Sequence, residues 1–101
     1  MDNIAAADAF AALGHESRLT ILRFLVECGC DGSDASTLSM ELGIPWTTMS
    51  HHLDHLKRSG LVLAEKQGRR MVHTACFTAV ASLSTFLLQN CCNRQQQEIA
   101  P

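Results

Sequence analysis

Cysteines are the residues of this chain with the most distinctive chemistry, and five occur among its 101 residues. Cys91 and Cys92 are adjacent near the C-terminal end, and Cys28 and Cys30 lie in a Gly/Asp-rich segment. Thiolates bind soft metal and metalloid ions, and accessible thiols are also oxidised or persulfidated. These four cysteines are therefore candidate ligands or redox centres, whereas Cys76 is expected to pack as a small apolar residue.

The chemical state of the thiols depends on the compartment. The first 17 residues contain no Lys or Arg and show no secretory signal pattern. No apolar run approaches the length of about 18 residues that suggests a membrane span. We therefore expect a cytoplasmic protein with no membrane partner and with reduced cysteines.

A second informative set of side chains lies between residues 47 and 70. At about 100° per residue, Met49, Leu53 and Leu56 share one face of a helix, and polar residues face the other way. The formal net charge is -2, yet basic residues concentrate in this segment, where they can attract phosphate groups. Three groups of candidate DNA contacts follow: Thr47, Thr48, Ser50 and His51 at base edges; His55 at a base or phosphate; and Lys57, Arg58, Lys66, Arg69 and Arg70 at phosphates.

Five helices are needed to position these residues. Apolar periodicity and capping residues predict helices over residues 3–13, 16–28, 36–42, 46–59 and 78–92, with a loop at 28–33. Ile4, Phe10 and Leu13 are expected to form the buried face of the first helix. Trp46 is expected to pack against the turn before the fourth helix, and His52 is expected to support that helix from inside.

Strands are predicted at residues 61–66 and 69–76, joined by a tight turn at Gln67-Gly68. The predicted fold class is mainly α with this two-stranded wing, in a single domain over residues 1–92. The polar segment 93–101 is expected to be a disordered tail. The last helix contains no charged residue, so we expect it to pack across a two-fold axis in a homodimer.

Several motifs in combination resemble the ArsR/SmtB family of bacterial metalloregulators. They are residues 10–22 (FAALGHESRLTIL), 38–43 (LSMELG), 48–53 (TMSHHL), 56–62 (LKRSGLV) and 68–70 (GRR). The resemblance covers residues 4–92 and implies a homodimeric winged helix-turn-helix repressor. Such a repressor binds double-stranded operator DNA and leaves it when an effector binds.

Two effector sites that this family implies are missing from the sequence. The Cys-x-Cys arsenite site before the third helix corresponds to Asp34 and Ser36 here. The family's zinc site uses Asp and His on the last helix, and residues 78–90 contain neither, so zinc is not expected. The pair Cys91-Cys92 is similar to a subgroup of arsenite-responsive repressors whose third cysteine lies in the tail, but residues 93–101 contain no cysteine.

The effector implied by this subgroup is trivalent arsenic or antimony. An inorganic ion is best held by three thiolates, so Cys28 or Cys30 is a candidate third ligand beside Cys91 and Cys92. An arsenical with one organic group needs only two thiolates, and we favour the inorganic ion. One alternative is a redox or sulfide sensor that uses the same cysteines.

Another alternative is a metalloid carrier or interaction module that does not bind DNA. An enzyme is not expected, because the sequence has no Ser/His/Asp set and no Gly-rich phosphate loop.

Overall fold

The computed structural model describes residues 1–95 of the chain. Its α-helices are α1 (Asn3–Leu13), α2 (Glu16–Cys28), α3 (Ala35–Leu42), α4 (Trp46–Arg58) and α5 (Phe77–Leu88), with a 3-10 helix at Gly29–Asp31. Its strands are β1 (Ser33–Asp34), β2 (Val62–Gln67) and β3 (Arg70–Ala75), which form one antiparallel sheet in the order β1-β3-β2. The predicted five helices and wing are confirmed. The tail prediction falls mostly on residues 96–101, which lie outside the described residues.

Side-chain caps explain where three of the helices begin. Asp2 Oδ1 accepts a hydrogen bond from the Ala5 amide at 2.7 Å, and Asp34 Oδ1 accepts one from the Thr37 amide at 2.8 Å. His15 Nδ1 accepts one from the Ser17 amide at 3.2 Å. Each cap satisfies a backbone donor that has no partner within its own helix.

The hydrophobic core lies where α4 packs against α2, with the base of the hairpin closing it from one side. The largest fully buried side chains come from all these elements: Ile21, Leu25, Leu38, Met49, Leu56, Leu61 and Val62. Leu53 is also buried, so the predicted apolar face of α4 is confirmed.

The buried face predicted for α1 is wrong at Ile4 and Phe10, whereas Leu13 is partly buried and packs against the core. The buried residues of α1 are Ala6, Ala9 and Ala12, while Ile4 is 75% exposed and Phe10 is 38% exposed. Methyl side chains let the α1 backbone lie close to its neighbours, so the larger apolar residues are left on the outer side. This outer side is available to a partner.

The sheet has one more strand than predicted. Ser33 lies opposite His73 and Asp34 opposite Val72, so the end of the segment predicted as a loop is a short edge strand. At Gly32 (φ +62°), an added Cβ would lie 2.6 Å from Thr74 Cγ2. Only glycine permits this close backbone approach.

The tip of the hairpin is shifted by one residue from its predicted position. Gln67 pairs with Arg70, so the two connecting residues are Gly68 and Arg69 rather than Gln67 and Gly68. Gly68 has a φ of +65°, which glycine adopts without steric cost.

The last helix is shorter than predicted. It ends at Leu88 rather than at residue 92, so Cys91 and Cys92 lie in the turns that follow. Asn90 and Cys92 have φ values of 63° and 65°, and this left-handed conformation cannot continue a right-handed helix. None of the helices within residues 1–95 has the length and apolar character needed to cross a membrane.

Two buried histidines make the fold sensitive to pH. His73, on β3, is 4% exposed, and its Nδ1 has no hydrogen-bond partner within residues 1–95. Burial, and then the positive charge of Lys57, lower the pKa of His73. Burial, and then the nearby His15 and Arg18, lower the pKa of His52.

We predict that the free energy of unfolding falls as the pH is lowered from 7.5 to 5. An unfolded histidine titrates at about 6.5, so below that pH the unfolded chain binds protons that the folded chain excludes, and stability is lost. Urea unfolding at several pH values measures this slope. His73→Gln and His52→Gln should each flatten it, and an unchanged slope in both variants would contradict the prediction.

Candidate nucleic-acid interface and thiol pairs

Helices α3 and α4 are joined by a tight turn of three residues. Gly43 takes the left-handed conformation that ends α3, and the Ile44 amide donates to the Ser39 carbonyl at 3.2 Å. The Ser39 hydroxyl donates back to the Ile44 carbonyl. Pro45 then caps α4, whose Met49 amide donates to the Pro45 carbonyl at 2.8 Å. This is a helix-turn-helix with α4 as its second helix.

The outer face of α4 presents the side chains that were predicted to contact bases. Thr47, Thr48, Ser50 and His51 are all exposed, and His55 is half-buried. Met49, Leu53 and Leu56 anchor the opposite face in the core. The buried face fixes the helix, so the polar face is held ready for a ligand such as a DNA major groove.

His52 supports α4 from the inner side, as predicted. Its side chain is buried, and its ring centroid lies 4.7 Å from that of His15, at the start of α2. The recognition helix is therefore held partly by a contact between two imidazole rings. His52 is therefore a packing residue, whereas His15 remains exposed.

Trp46 is the main residue on this face that the sequence analysis misplaced. It is 57% exposed at the first position of α4 and does not pack into the turn as predicted. Hydrogen bonds of the backbone and of Ser39 close the turn instead. An exposed tryptophan beside Thr47 is a further candidate for contact with sugar or base.

The hairpin carries the second part of the basic surface. Residues 63–70 are exposed, and Arg69 lies at the tip beside Gly68. Lys57, Lys66 and Arg69 form no salt bridge within residues 1–95, whereas Arg58 pairs with Asp54 at 3.6 Å. The basic residues at the end of α4 and those of the hairpin therefore lie within one continuous stretch of sequence.

Asp34 was not predicted as a site residue, and it forms a salt bridge with one of the basic residues. Its Oδ2 lies 3.1 Å from Arg70 Nε, while its Oδ1 caps α3 through Thr37. Hydrogen bonds from Thr37, and then from Arg70, lower the pKa of Asp34, so it is ionised at neutral pH. The residues are 36 positions apart in sequence, and only the pairing of β1 with β3 brings them together.

Cys91 and Cys92 lie side by side in the turns that follow α5. Cys91 Sγ and Cys92 Sγ are 3.2 Å apart, and both residues are exposed. A hydrogen bond with the Cys91 thiol raises the pKa of Cys92. Two sulfur atoms at this distance can bind one soft ion jointly.

Cys28 and Cys30 do not complete a three-ligand site. Within residues 1–95, no group of three His, Cys, Asp or Glu residues is close enough to hold a metal ion. Cys28 is half-buried, and burial followed by the charges of Glu27 and Asp31 raises its thiol pKa. Cys30 is exposed, in the 3-10 helix.

Comparison with known proteins places the chain in a family. No protein-family model matches it. The HTH-type transcriptional regulator MJ1325 from Methanocaldococcus jannaschii is 43% identical over 67 residues, which are 62% of this chain and 68% of that protein.

Two solved structures share the fold at appreciable identity. An ArsR-like transcriptional regulator from Rhodococcus sp. RHA1 has a TM-score of 0.75 and 31% identity, over 83% of this chain and 76% of that one. The homodimeric winged helix-turn-helix DNA-binding domain Mb0332 from Mycobacterium bovis has a TM-score of 0.69 and 27% identity, over 96% and 86%. The chain belongs to the ArsR/SmtB family.

Family membership defines the roles of the elements. This ArsR/SmtB protein is a DNA-binding transcriptional regulator, α4 is its recognition helix, and the β2–β3 hairpin is its wing. The relatives are regulators rather than enzymes. The alternative of a carrier or interaction module that does not bind DNA is not represented among these relatives.

We predict that Arg69→Ala weakens DNA binding more than Arg70→Ala does. Arg69 is unpaired at the wing tip, whereas a phosphate must displace Asp34 to reach Arg70. Loss of one phosphate contact should lower the slope of log K against log salt by about one. Fluorescence anisotropy with DNA from upstream of the coding sequence, at several salt concentrations, measures the slope.

Asp34→Asn and Arg23→Ala serve as controls for this prediction. Asparagine keeps the cap on Thr37 but removes the charge that faces Arg70, so Arg70→Ala should cost more affinity in the Asp34→Asn background. Arg23 is an exposed arginine on α2, and its replacement should leave the slope unchanged. Equal slopes for wild type and Arg69→Ala would remove Arg69 from the interface.

Proposed function

We propose that a homodimer of this chain represses transcription at an operator and releases the DNA when a trivalent arsenic or antimony compound binds Cys91 and Cys92. The observation that carries the proposal is the exposed sulfur pair, 3.2 Å apart, immediately after α5. No hard ligand accompanies these sulfurs in a three-residue group within residues 1–95. A soft, thiophilic effector suits such a site better than zinc or another borderline metal.

The number of thiols at the site bears on the form of the effector. Two thiolates complete the coordination of an arsenical that already carries one organic group. An inorganic ion would keep one oxygen ligand unless a third thiol, from Cys28 or Cys30, joined the pair. The hydrogen bond between the thiols raises the pKa of Cys92, so this thiol is protonated at neutral pH, and its proton would leave as water together with a hydroxyl group of the effector.

The apolar outer faces of α1 and α5 support the homodimer. Ile4, Leu87 and Leu88 are 75%, 66% and 70% exposed, and large apolar side chains grouped in this way favour a partner surface. A groove of about 450 Å³ lies between Met1 and α5, with Phe86 in its wall. The Mb0332 domain of the same fold is homodimeric, and a two-fold axis through these helices would pair two recognition helices.

The thiols lie beside the helix that we place in the dimer interface, which gives effector binding a means of altering DNA binding. They follow α5 directly, so a bound ion changes the end of the helix that we place in the dimer interface. A small change in the angle between protomers alters the spacing of the two recognition helices, which must match half-sites about one turn of DNA apart. A coupling of about 1–3 kcal/mol is sufficient for regulation of this kind.

We predict that Leu88→Glu converts the dimer to a monomer and abolishes operator binding at nanomolar protein. A charge buried in an apolar interface is strongly unfavourable. Sedimentation velocity measures the mass. Met40→Glu is the matched control, because Met40 on α3 is 79% exposed and lies outside the α1 and α5 surface; a dimeric Leu88→Glu protein would contradict the interface.

We predict that Cys91→Ser/Cys92→Ser retains operator binding but is no longer released by arsenite, antimonite or phenylarsine oxide. Serine oxygen is a poor ligand for a soft ion, and neither cysteine lies on α4 or the wing. Anisotropy of the protein–operator complex during titration measures release. Cys28→Ser alters a half-buried thiol elsewhere and tests whether that thiol serves as a third ligand; full release of the double variant would exclude the pair.

The same sulfur contact also favours a second candidate function, a redox or sulfide sensor. Hydrogen peroxide can accept two electrons from Cys91 and Cys92, which lose two protons and form one S–S bond while the peroxide becomes two waters. Release of operator by peroxide without any metalloid would support this function, and release by arsenicals alone would exclude it.

A further inference from the structure

We propose that Cys30 and Cys76 form a second thiol pair, which binds a trivalent arsenical that carries one organic substituent. The proposal goes beyond the function above, because it concerns thiols other than Cys91 and Cys92. It also revises the expectation that Cys76 is only a packing residue.

Strand pairing brings the two cysteines to the same place. β1 and β3 are antiparallel, with Ser33 opposite His73 and Asp34 opposite Val72. The same register, continued beyond the strand ends, sets position 30 opposite position 76. A Cβ added at Gly32 would clash with the backbone carbonyl oxygen of His73, so the two backbones stay close one residue beyond the last pair.

The two cysteines share a cavity although Cys30 lies in the 3-10 helix. Cys30 and Cys76 both line one surface cavity of about 320 Å³. Cys30 is exposed and Cys76 is half-buried, so both thiols are reachable from solvent. Cys76 immediately precedes α5 and its side chain makes no capping hydrogen bond, which leaves its sulfur free to bind.

The other walls of the cavity suit an organic substituent. Leu63, Ala75 and Phe77 provide apolar surface, and Leu63 and Phe77 are 55% and 43% exposed. A phenyl or methyl group on arsenic would cover these side chains while the arsenic binds sulfur. Apolar contact of this kind adds to the affinity of a thiol site.

The binding step is a simple ligand exchange. In an arsenical with one organic group and two hydroxyls, two As–O bonds break and two As–S bonds form. Each thiol proton leaves with a hydroxide, so two water molecules are produced and arsenic stays trivalent. No oxidant or reductant is needed, and two thiolates complete the coordination.

The test uses Cys91→Ser/Cys92→Ser protein, in which Cys28, Cys30 and Cys76 remain of the five cysteines. We expect intact-mass spectrometry after addition of phenylarsine oxide to show one bound phenylarsenic group. Thiol titration should then show the loss of two of the three remaining thiols. Adding Cys30→Ser or Cys76→Ser should reduce retention at least tenfold, whereas adding Cys28→Ser should leave it unchanged.

Circular dichroism checks that each variant is folded. If Cys76→Ser does not fold, the comparison of Cys30→Ser with its neighbour control Cys28→Ser tests the proposed pair. Failure of the Cys91→Ser/Cys92→Ser protein to retain the arsenical, or equal retention after Cys30→Ser, would overturn the proposal. Release of operator DNA is measured separately in Cys30→Ser protein, which keeps Cys91 and Cys92. That measurement tests the proposed function, so the two proposals can fail independently.

Discussion

The structure depends on the burial of one face of α4 against α2. Met49, Leu53 and Leu56 fill this contact together with Ile21 and Leu25. Burying side chains of this size stabilises a fold by about 1.5–3 kcal/mol each, so the recognition helix cannot rotate without losing much of the core. The orientation of its polar face is therefore a consequence of packing.

The same contact explains how the wing is fixed relative to the recognition helix. Leu61 and Val62 enter the core directly after α4, and β1 holds the other side of β3. Asp34 joins both parts, because one carboxylate oxygen caps α3 and the other binds Arg70. The helix-turn-helix and the wing are thus one unit, and the Asp34 charge moderates the basic surface that the unit presents.

Patterns among neighbouring residues predicted the helices and the wing. They did not predict pairing between residues that are far apart in sequence. The apolar stripe of α4, the starts of α1 and α2 and the glycine at the wing tip depend on neighbours within a few positions, and the sequence predicted them to within one or two residues. β1 is two residues long and exists only because β3 lies beside it. The alanine face of α1 was missed because periodicity weights large apolar residues, whereas close helix packing selects small ones.

The thiols show the same limit, and they also show what tertiary structure adds. Cys91 and Cys92 were predicted as a pair because they are adjacent in sequence. They were expected on the last helix, whereas α5 ends at Leu88 and they lie in the turns that follow. Cys30 and Cys76 are far apart in sequence, and only the β1–β3 register and a common cavity associate them. One pair precedes α5 and the other follows it, so both proposed sites flank the helix whose apolar outer face we assign to the dimer interface. The proposed sulfur sites and the proposed dimer surface therefore meet at a single element of the fold.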